Sequence, residues 1–456
     1  MPVTPPGAAA GNSPASARYH ADLAFLGPLG VAADVLIEVA GGRFGAVTPG
    51  AACPPDAVRL RGLTLPGLAN AHSHAFHRAL RGRTHAGLGS FWTWRERMYA
   101  VAAALTPDSY LALARATFAE MALAGVTCVG EFHYLHHTPD GTPYADPNAM
   151  GAALVQAAAE AGIRITLLDT LYLTSSVDGA PLAGPQRRFG DGDPSCWADR
   201  IASIAAADHL RVGLAVHSVR AVPGPLLPEV AELAGARPLH AHLSEQRAEN
   251  DACHARYGCS PTELLHGAGL LGPDTTAVHA THLSDVDRAL LGDTDTAVCF
   301  CPTTERDLAD GIGPARALVD GGSPLCLGSD SHAVIDLFEE ARAVELDERL
   351  RTERRGHFSA AELLHAATAA GHAALGWPDA GSIAPGARAD LVTVRLDSVR
   401  TAGADPAHAA AAAVFAVTAA DVDHVLVDGR VVVAGGRHAS LDVAAELAAS
   451  IAAVSA

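Results

Sequence analysis

The sequence contains no lysine: each of its 32 basic residues is an arginine, so no side-chain amine is there to be modified. Against them stand 50 acidic residues, for a net charge of −18. That balance argues against nucleic acid and against an anionic membrane surface, and neither is expected as a partner. The eight cysteines form no C-x-x-C pair and no finger spacing, and "CFC" at 299–301 lies in a run that reads as a buried strand. A disulfide framework is not expected at this length. No stretch of about 18 uncharged apolar residues occurs. The longest candidate, "HAAAAAVFAVTAADVDH", is diluted by alanine and too short for a bilayer. Residues 1–19 lack the basic and apolar regions of a secretory signal, and read as the flexible N-terminus of a cytoplasmic protein.

What is present is a globular composition, 49% hydrophobic and 18% charged over 456 residues, enough to bury a large core. From residue 63 to about 335, short apolar runs end in polar, ligand-type residues and are followed by amphipathic segments. The runs are "LTLPGLANAHSH", "GVTCVGEFHY", "IRITLLDTLYL", "LRVGLAVHSVR", "RPLHAHLSE", "TTAVHATH", "DTAVCFCP" and "SPLCLGSD". A helix such as "PDSYLALARATFAEMALAG" has Pro and Asp at its start and Gly at its end. Eight strand–helix alternations predict an α/β fold, a (β/α)8 TIM barrel over residues 63–383 with its site at the strands' C-terminal ends. Helices are expected near 333–354 and 359–376. Residues 20–62 and 384–456 carry short alternating runs such as "VLIEVAGGRFGAV" and "DHVLVDGRVVVAGG", and predict a small β-sandwich-like domain built from both termini.

The ligand-type residues fall at the predicted strand ends. In "LPGLANAHSHAFHRAL", His72 and His74 are one residue apart, and on a strand alternate side chains share a face. His242 in "HAHLSE" and Asp330 in "LGSDSH" stand at two other strand ends. Three imidazoles and one carboxylate suit zinc or ferrous iron and leave room for water. His240 shares the strand face of His242, and alternation does not choose between them. Glu245, three residues past His242, is a candidate to carry a proton between water and a leaving group. His279 ends the sixth run, where it would polarise the reacting bond or stabilise a tetrahedral intermediate; His282 is its alternative.

"HSH", "HLSE", "VHATH" and "GSDSH", with the flanking β segments, resemble the amidohydrolase superfamily in its deaminase branch. Within it, "SFWTWRERMY", "EFHYLHH", "QRRF", "VHSVRAV" and "DLADGI" are similar to the formimidoylglutamate deiminase family, over nearly the whole chain from residue 20. That resemblance implies metal ligands at His72, His74, His242 and Asp330, and catalytic roles for Glu245, His279 and Asp330. It implies substrate contacts at Arg95, Tyr134, His217 and Arg220. His77 stands where relatives often have glutamine; an imidazole can also donate a hydrogen bond. The implied reaction is hydrolysis of N-formimidoyl-L-glutamate to N-formyl-L-glutamate and ammonia, in histidine degradation. In a chain of net charge −18, a dicarboxylate substrate needs local arginines, which pair bidentately with carboxylates. Arg95 is expected in a loop-like wall or lid.

Binuclear members of the superfamily bridge two metals with a carboxylated lysine at strand four. Here strand four ends "VHSVR" and no lysine exists, so one divalent ion is expected, Zn2+ or Fe2+, a glutamate or cysteine bridge being the alternative. The expected assembly is a homodimer. Two other readings are a related deaminase acting on a purine, pterin or other ring, and a non-catalytic scaffold, which would have lost metal ligands.

Overall fold

The computed structural model describes residues 16–85 and 91–455, with the backbone alone at 91 and 92. Residues 1–15 of the segment expected to be flexible lie outside the described residues, and Ala17–Tyr19 of it belong to the first strand. The chain opens with β1 (Ala17–Phe25), β2 (Val31–Ala40), β3 (Arg43–Thr48) and β4 (Val58–Pro66). Eight strands follow: β5 (Leu68–Ser73), β6 (Val126–His133), β7 (Arg164–Leu171), β8 (Leu210–Val216), β9 (Leu239–Leu243), β10 (Thr275–His279), β11 (Ala297–Phe300) and β12 (Leu325–Leu327). The chain ends with β13 (Leu391–Val394), β14 (Val422–Val427), β15 (Arg430–Ala434), β16 (Arg437–His438) and a helix at Val443–Val454.

Strands β5 to β12 pair in sequence order, each parallel to the next. Seven of them are buried at every residue, as expected when helices cover one side of a parallel sheet and a packed interior the other. The barrel closes where Ser73 bridges Asp330 in parallel. The other sheet is mixed, in the order β16-β15-β14-β13-β4-β1-β2-β3, and comes from both ends of the chain. Along β2 buried residues alternate with more exposed ones, because one face meets water, whereas the central β13 is buried throughout.

The run "LTLPGLANAHSH" is shared between the sheets: β4 continues to Pro66, and β5 begins two residues later. Gly67 makes the junction, since a Cβ there would lie 2.5 Å from the Thr127 side chain and 2.9 Å from Asp390 Cβ. The helix at Pro107–Leu123 starts as read, with Pro107 in its first turn and a capping box between Thr106 and Ser109. Residues around Arg95 differ from expectation. They form a helix, Phe91–Ala104, and not a loop. No helix among the described residues is long and apolar enough to cross a membrane.

At the N-terminal ends of β7 and β8 the barrel is tied to the mixed sheet by charge. Arg164 is fully buried and pairs with Asp390, just before β13, and with Asp428 at 3.2 Å. The guanidiniums of Arg164, Arg211 and Arg388 lie 5.0, 4.1 and 4.8 Å from the ring centroid of Trp377, which is itself fully buried. Arg164→Met would strand Asp390 without its main partner, and removing one member of such a buried pair costs about 3–5 kcal/mol. The expected outcome is a clearly lowered melting midpoint for Arg164→Met, relieved in the double variant with Asp390→Asn. An unchanged midpoint would remove the pair from the stability of the fold.

Candidate metal centre

Closing the barrel brings the ends of β5 and β12 together. The Asp330 N–H donates to His72 O at 3.0 Å, and the His74 N–H donates to Asp330 O at 3.2 Å. Gly328 permits the approach, since a Cβ there would lie 2.7 Å from His72 Cβ and 2.9 Å from Cys301 Sγ. Asn70 reinforces it, donating to Ser329 Oγ at 2.7 Å and accepting from the Ser329 N–H at 2.9 Å. Below His74, the buried Glu131 accepts from Ser73 Oγ at 2.5 Å and from the Ala75 N–H at 2.7 Å. Burial pushes the Glu131 carboxyl up to about 8 against those bonds.

His72, His74, His242 and Asp330 then face one another, with one ligand atom from each inside a sphere of contacts no wider than 4.8 Å. His242 Nε2 is 3.1 Å from His72 Nε2, and Asp330 Oδ1 is 3.4 and 3.3 Å from Nε2 of His72 and His74. All four are buried. Two of the imidazoles are oriented from behind: His74 Nδ1 donates to Phe132 O at 3.0 Å, and His242 Nδ1 donates to His217 O at 2.9 Å. With Nδ1 carrying the hydrogen, each Nε2 presents a lone pair to the centre, the tautomer a metal requires. Burial lowers the pKa of all three histidines, that of His74 to about 3, so they stay neutral. Asp330 is held well below the usual carboxylate range: burial opposes this, and the hydrogen bond with His72 and the charge of His279 outweigh it. Converging lone pairs and a carboxylate repel one another unless a cation sits between them. The donor set therefore fits a divalent metal ion.

His240 is not part of this group. It lies deeper in the barrel, its Nε2 3.1 Å from Ala374 O. Two other groups have ligand-type atoms close together. In the first, His133, His136 and Asp169, Arg200 donates to both Asp169 oxygens at 2.7 and 2.8 Å and takes the place of a cation. The second, His279, Cys301 and Asp330, shares Asp330 with the main cluster, and burial pushes the Cys301 thiol up, away from the thiolate a metal would need.

Above the cluster lies a cleft lined by His77, Arg95, Tyr134, His217, Arg220 and Glu245, with several aromatic side chains. Tyr134 Oη is 3.2 Å from His77 Nε2, and the His217 ring stands 4.4 Å from that of Tyr172. Burial and the nearby Arg220 charge keep His217 neutral. His279 also faces the cleft and is 3.7 Å from Asp330 Oδ2, while its Nδ1 is 3.3 Å from Glu305 Oε1. Burial works against a charge on His279, but the bond to Glu305 and the charges of Glu245 and Asp330 prevail and lift its pKa to about 10. A cation beside Asp330 would oppose that rise. His282 does not line the cleft. His279 and Asp330 sit at φ of 69° and 43°, a backbone region that side chains other than glycine rarely adopt.

Sequence reasoning missed the residues behind the cleft: Glu131, Glu305 and Glu249, which is 2.9 Å from Arg220 Nε. Glu249 follows Glu245 by four residues, a spacing visible in the sequence, but only the fold shows an arginine beside both.

The amidohydrolase family model matches residues 63–432. The chain is 38% identical to formimidoylglutamate deiminase of Pseudomonas aeruginosa, over 90% of this chain and 94% of that one. It is 32% identical to 8-oxoguanine deaminase of Pseudomonas aeruginosa, over 90% of each chain. The solved structure of an amidohydrolase from Brucella melitensis superposes with a TM-score of 0.90 at 33% identity, covering 96% of this chain and all of that one.

Elemental analysis of gently purified protein is expected to find about one equivalent of divalent metal, and only a small fraction of that in His74→Ala or Asp330→Ala. Wild-type protein that remains metal-free after incubation with zinc or ferrous salts would contradict the assignment.

Proposed function

This chain belongs to the amidohydrolase family, and on that premise we propose that it hydrolyses N-formimidoyl-L-glutamate to N-formyl-L-glutamate and ammonia. The observation that carries this reading is the pair of arginines, Arg95 and Arg220, lining the same cleft as the histidine–aspartate cluster. In a chain of net charge −18, two guanidiniums beside the reacting centre suit a substrate with two carboxylates. The 38% identity to a formimidoylglutamate deiminase supports the same choice.

His72, His74, His242 and Asp330 would hold one divalent ion, zinc or ferrous iron, which supplies Lewis acidity and makes water acidic enough to react near neutral pH. A second ion bridged by a carboxylated lysine is excluded, because the chain has no lysine. Arg95 and Arg220 bind the carboxylates, and Tyr134, His77 and His217 form the polar wall beside them. Asp330 keeps a second oxygen to accept a hydrogen bond from the attacking water. Glu245 takes a proton from that water and delivers one to the departing nitrogen. His279, braced by Glu305, steadies the tetrahedral carbon's substituents by hydrogen bonding.

A second reading, deamination of a purine-like ring, is favoured by the 32% identity to an 8-oxoguanine deaminase and by the aromatic cleft wall. One assay separates them: ammonia release from formimidoyl-glutamate, formimidoyl-aspartate, guanine, 8-oxoguanine and cytosine. Formimidoyl-glutamate is expected to have the highest kcat/KM, and preference for a ring would transfer the assignment. Glu245→Gln is expected to lower turnover by a factor on the order of hundreds or more with metal content unchanged. Normal turnover in that variant would remove Glu245 from the chemistry.

A further inference from the structure

Arg220 stands between two acids, and only one of them faces the cleft. Its Nη2 is 3.5 Å from Glu245 Oε2, and its Nε is 2.9 Å from Glu249 Oε2. The second contact is close but lacks hydrogen-bond alignment. Glu249 is buried in the first turn of the helix at Arg247–Tyr257, and its other oxygen accepts from the Ser244 N–H at 3.0 Å. It neither lines the cleft nor joins the metal cluster. Together with Ser218 Oγ, which accepts from Arg220 Nε at 3.3 Å, a carboxylate fixed in that way holds the inner end of the guanidinium and leaves the outer end toward the cleft. There Arg220 is partnered with the group proposed to carry the proton.

A substrate carboxylate entering the cleft competes with Glu245 for the same outer nitrogens, and a bidentate pair is the stronger of the two contacts. We infer that Glu249 is a positioning residue for Arg220, and that Arg220 exchanges Glu245 for a substrate carboxylate, so that binding the anion releases the proton carrier. This deepens the proposed function and rests on it. Arg220 keeps Glu249 as a counter-ion throughout, so its partly buried charge is compensated before and after the exchange. The carboxylate then acts on turnover as well as on binding, and a substrate without it leaves Glu245 engaged.

The test compares N-formimidoyl-L-glutamate with two analogues in the metal-loaded enzyme: 4-(formimidoylamino)butanoate, which lacks the α-carboxylate, and 2-(formimidoylamino)butanoate, which lacks the side-chain carboxylate. One of the two is expected to lose kcat by about tenfold or more, beyond any rise in KM, and millimolar acetate is expected to restore part of that loss. Glu249→Ala is expected to raise KM for the dicarboxylate by about tenfold or more, and Glu249→Gln, which keeps shape and a hydrogen-bonding oxygen, by less. Analogues that change KM alone, with no response to acetate, overturn the exchange. Unchanged KM in both Glu249 variants overturns the positioning role. If no ammonia is released from the dicarboxylate, the proposed function fails, and a crystal structure with glutarate decides the exchange by itself. Arg220 on glutarate and beyond ion-pair distance of Glu245 upholds it; glutarate absent, or Arg220 still on Glu245, overturns it.

Discussion

The seam between β5 and the end of β12 is the contact on which the site depends. Two backbone hydrogen bonds there, Asp330 N–H to His72 O and His74 N–H to Asp330 O, close the barrel and set the carboxylate opposite two imidazoles. His72 and His242 lie within strands, and His74 and Asp330, just past the strand ends, are fixed by these two bonds. The side chains around the seam serve the same end: Asn70 bonds Ser329 twice, and Glu131 holds Ser73 and Ala75. Asp330 and His279 are kept at positive φ inside this framework, strain that surrounding packing sustains.

Charge is organised in layers around that seam. At the centre, burial keeps the imidazoles neutral while their neighbours keep Asp330 ionised, a set of donors with a deficit of positive charge. Outward, Arg95 and Arg220 supply the positive potential that a chain of net charge −18 otherwise lacks. Behind Arg220, Glu249 balances a guanidinium whose pKa is lowered by burial and, more strongly, raised by Glu249 and Glu245. At the far end of the barrel the same device recurs: Arg164 and Arg388 pair with aspartates around Trp377 and serve cohesion.

The barrel was legible in the sequence because its signal is periodic. Eight apolar runs ending in ligand-type residues became eight parallel strands, and the alternating flanks became one mixed sheet. His72 and His74 were legible because a strand sends alternate residues the same way. The choice of His242 over His240 was not, because the two share parity and differ only in depth, which Ala374 O reveals by holding His240. His279 and His282 could not be separated for a related reason: the chain leaves β10 at His279 with positive φ, and spacing says nothing of where it turns. The break at Gly67 and the helix around Arg95 were hidden too, one by a continuous apolar run, the other by an aromatic-rich stretch with little helical amphipathicity. Glu131, Glu249 and Glu305 were out of reach because their partners are distant in the chain or depend on a turn.

Anomalous X-ray scattering from crystals of the purified protein, recorded on either side of the zinc and iron absorption edges, tests the central claim most directly. The account requires a single strong peak about 2.0–2.2 Å from Nε2 of His72, His74 and His242 and from an Asp330 oxygen. Two peaks bridged by another side chain, or a peak whose ligands do not include this set, would contradict it.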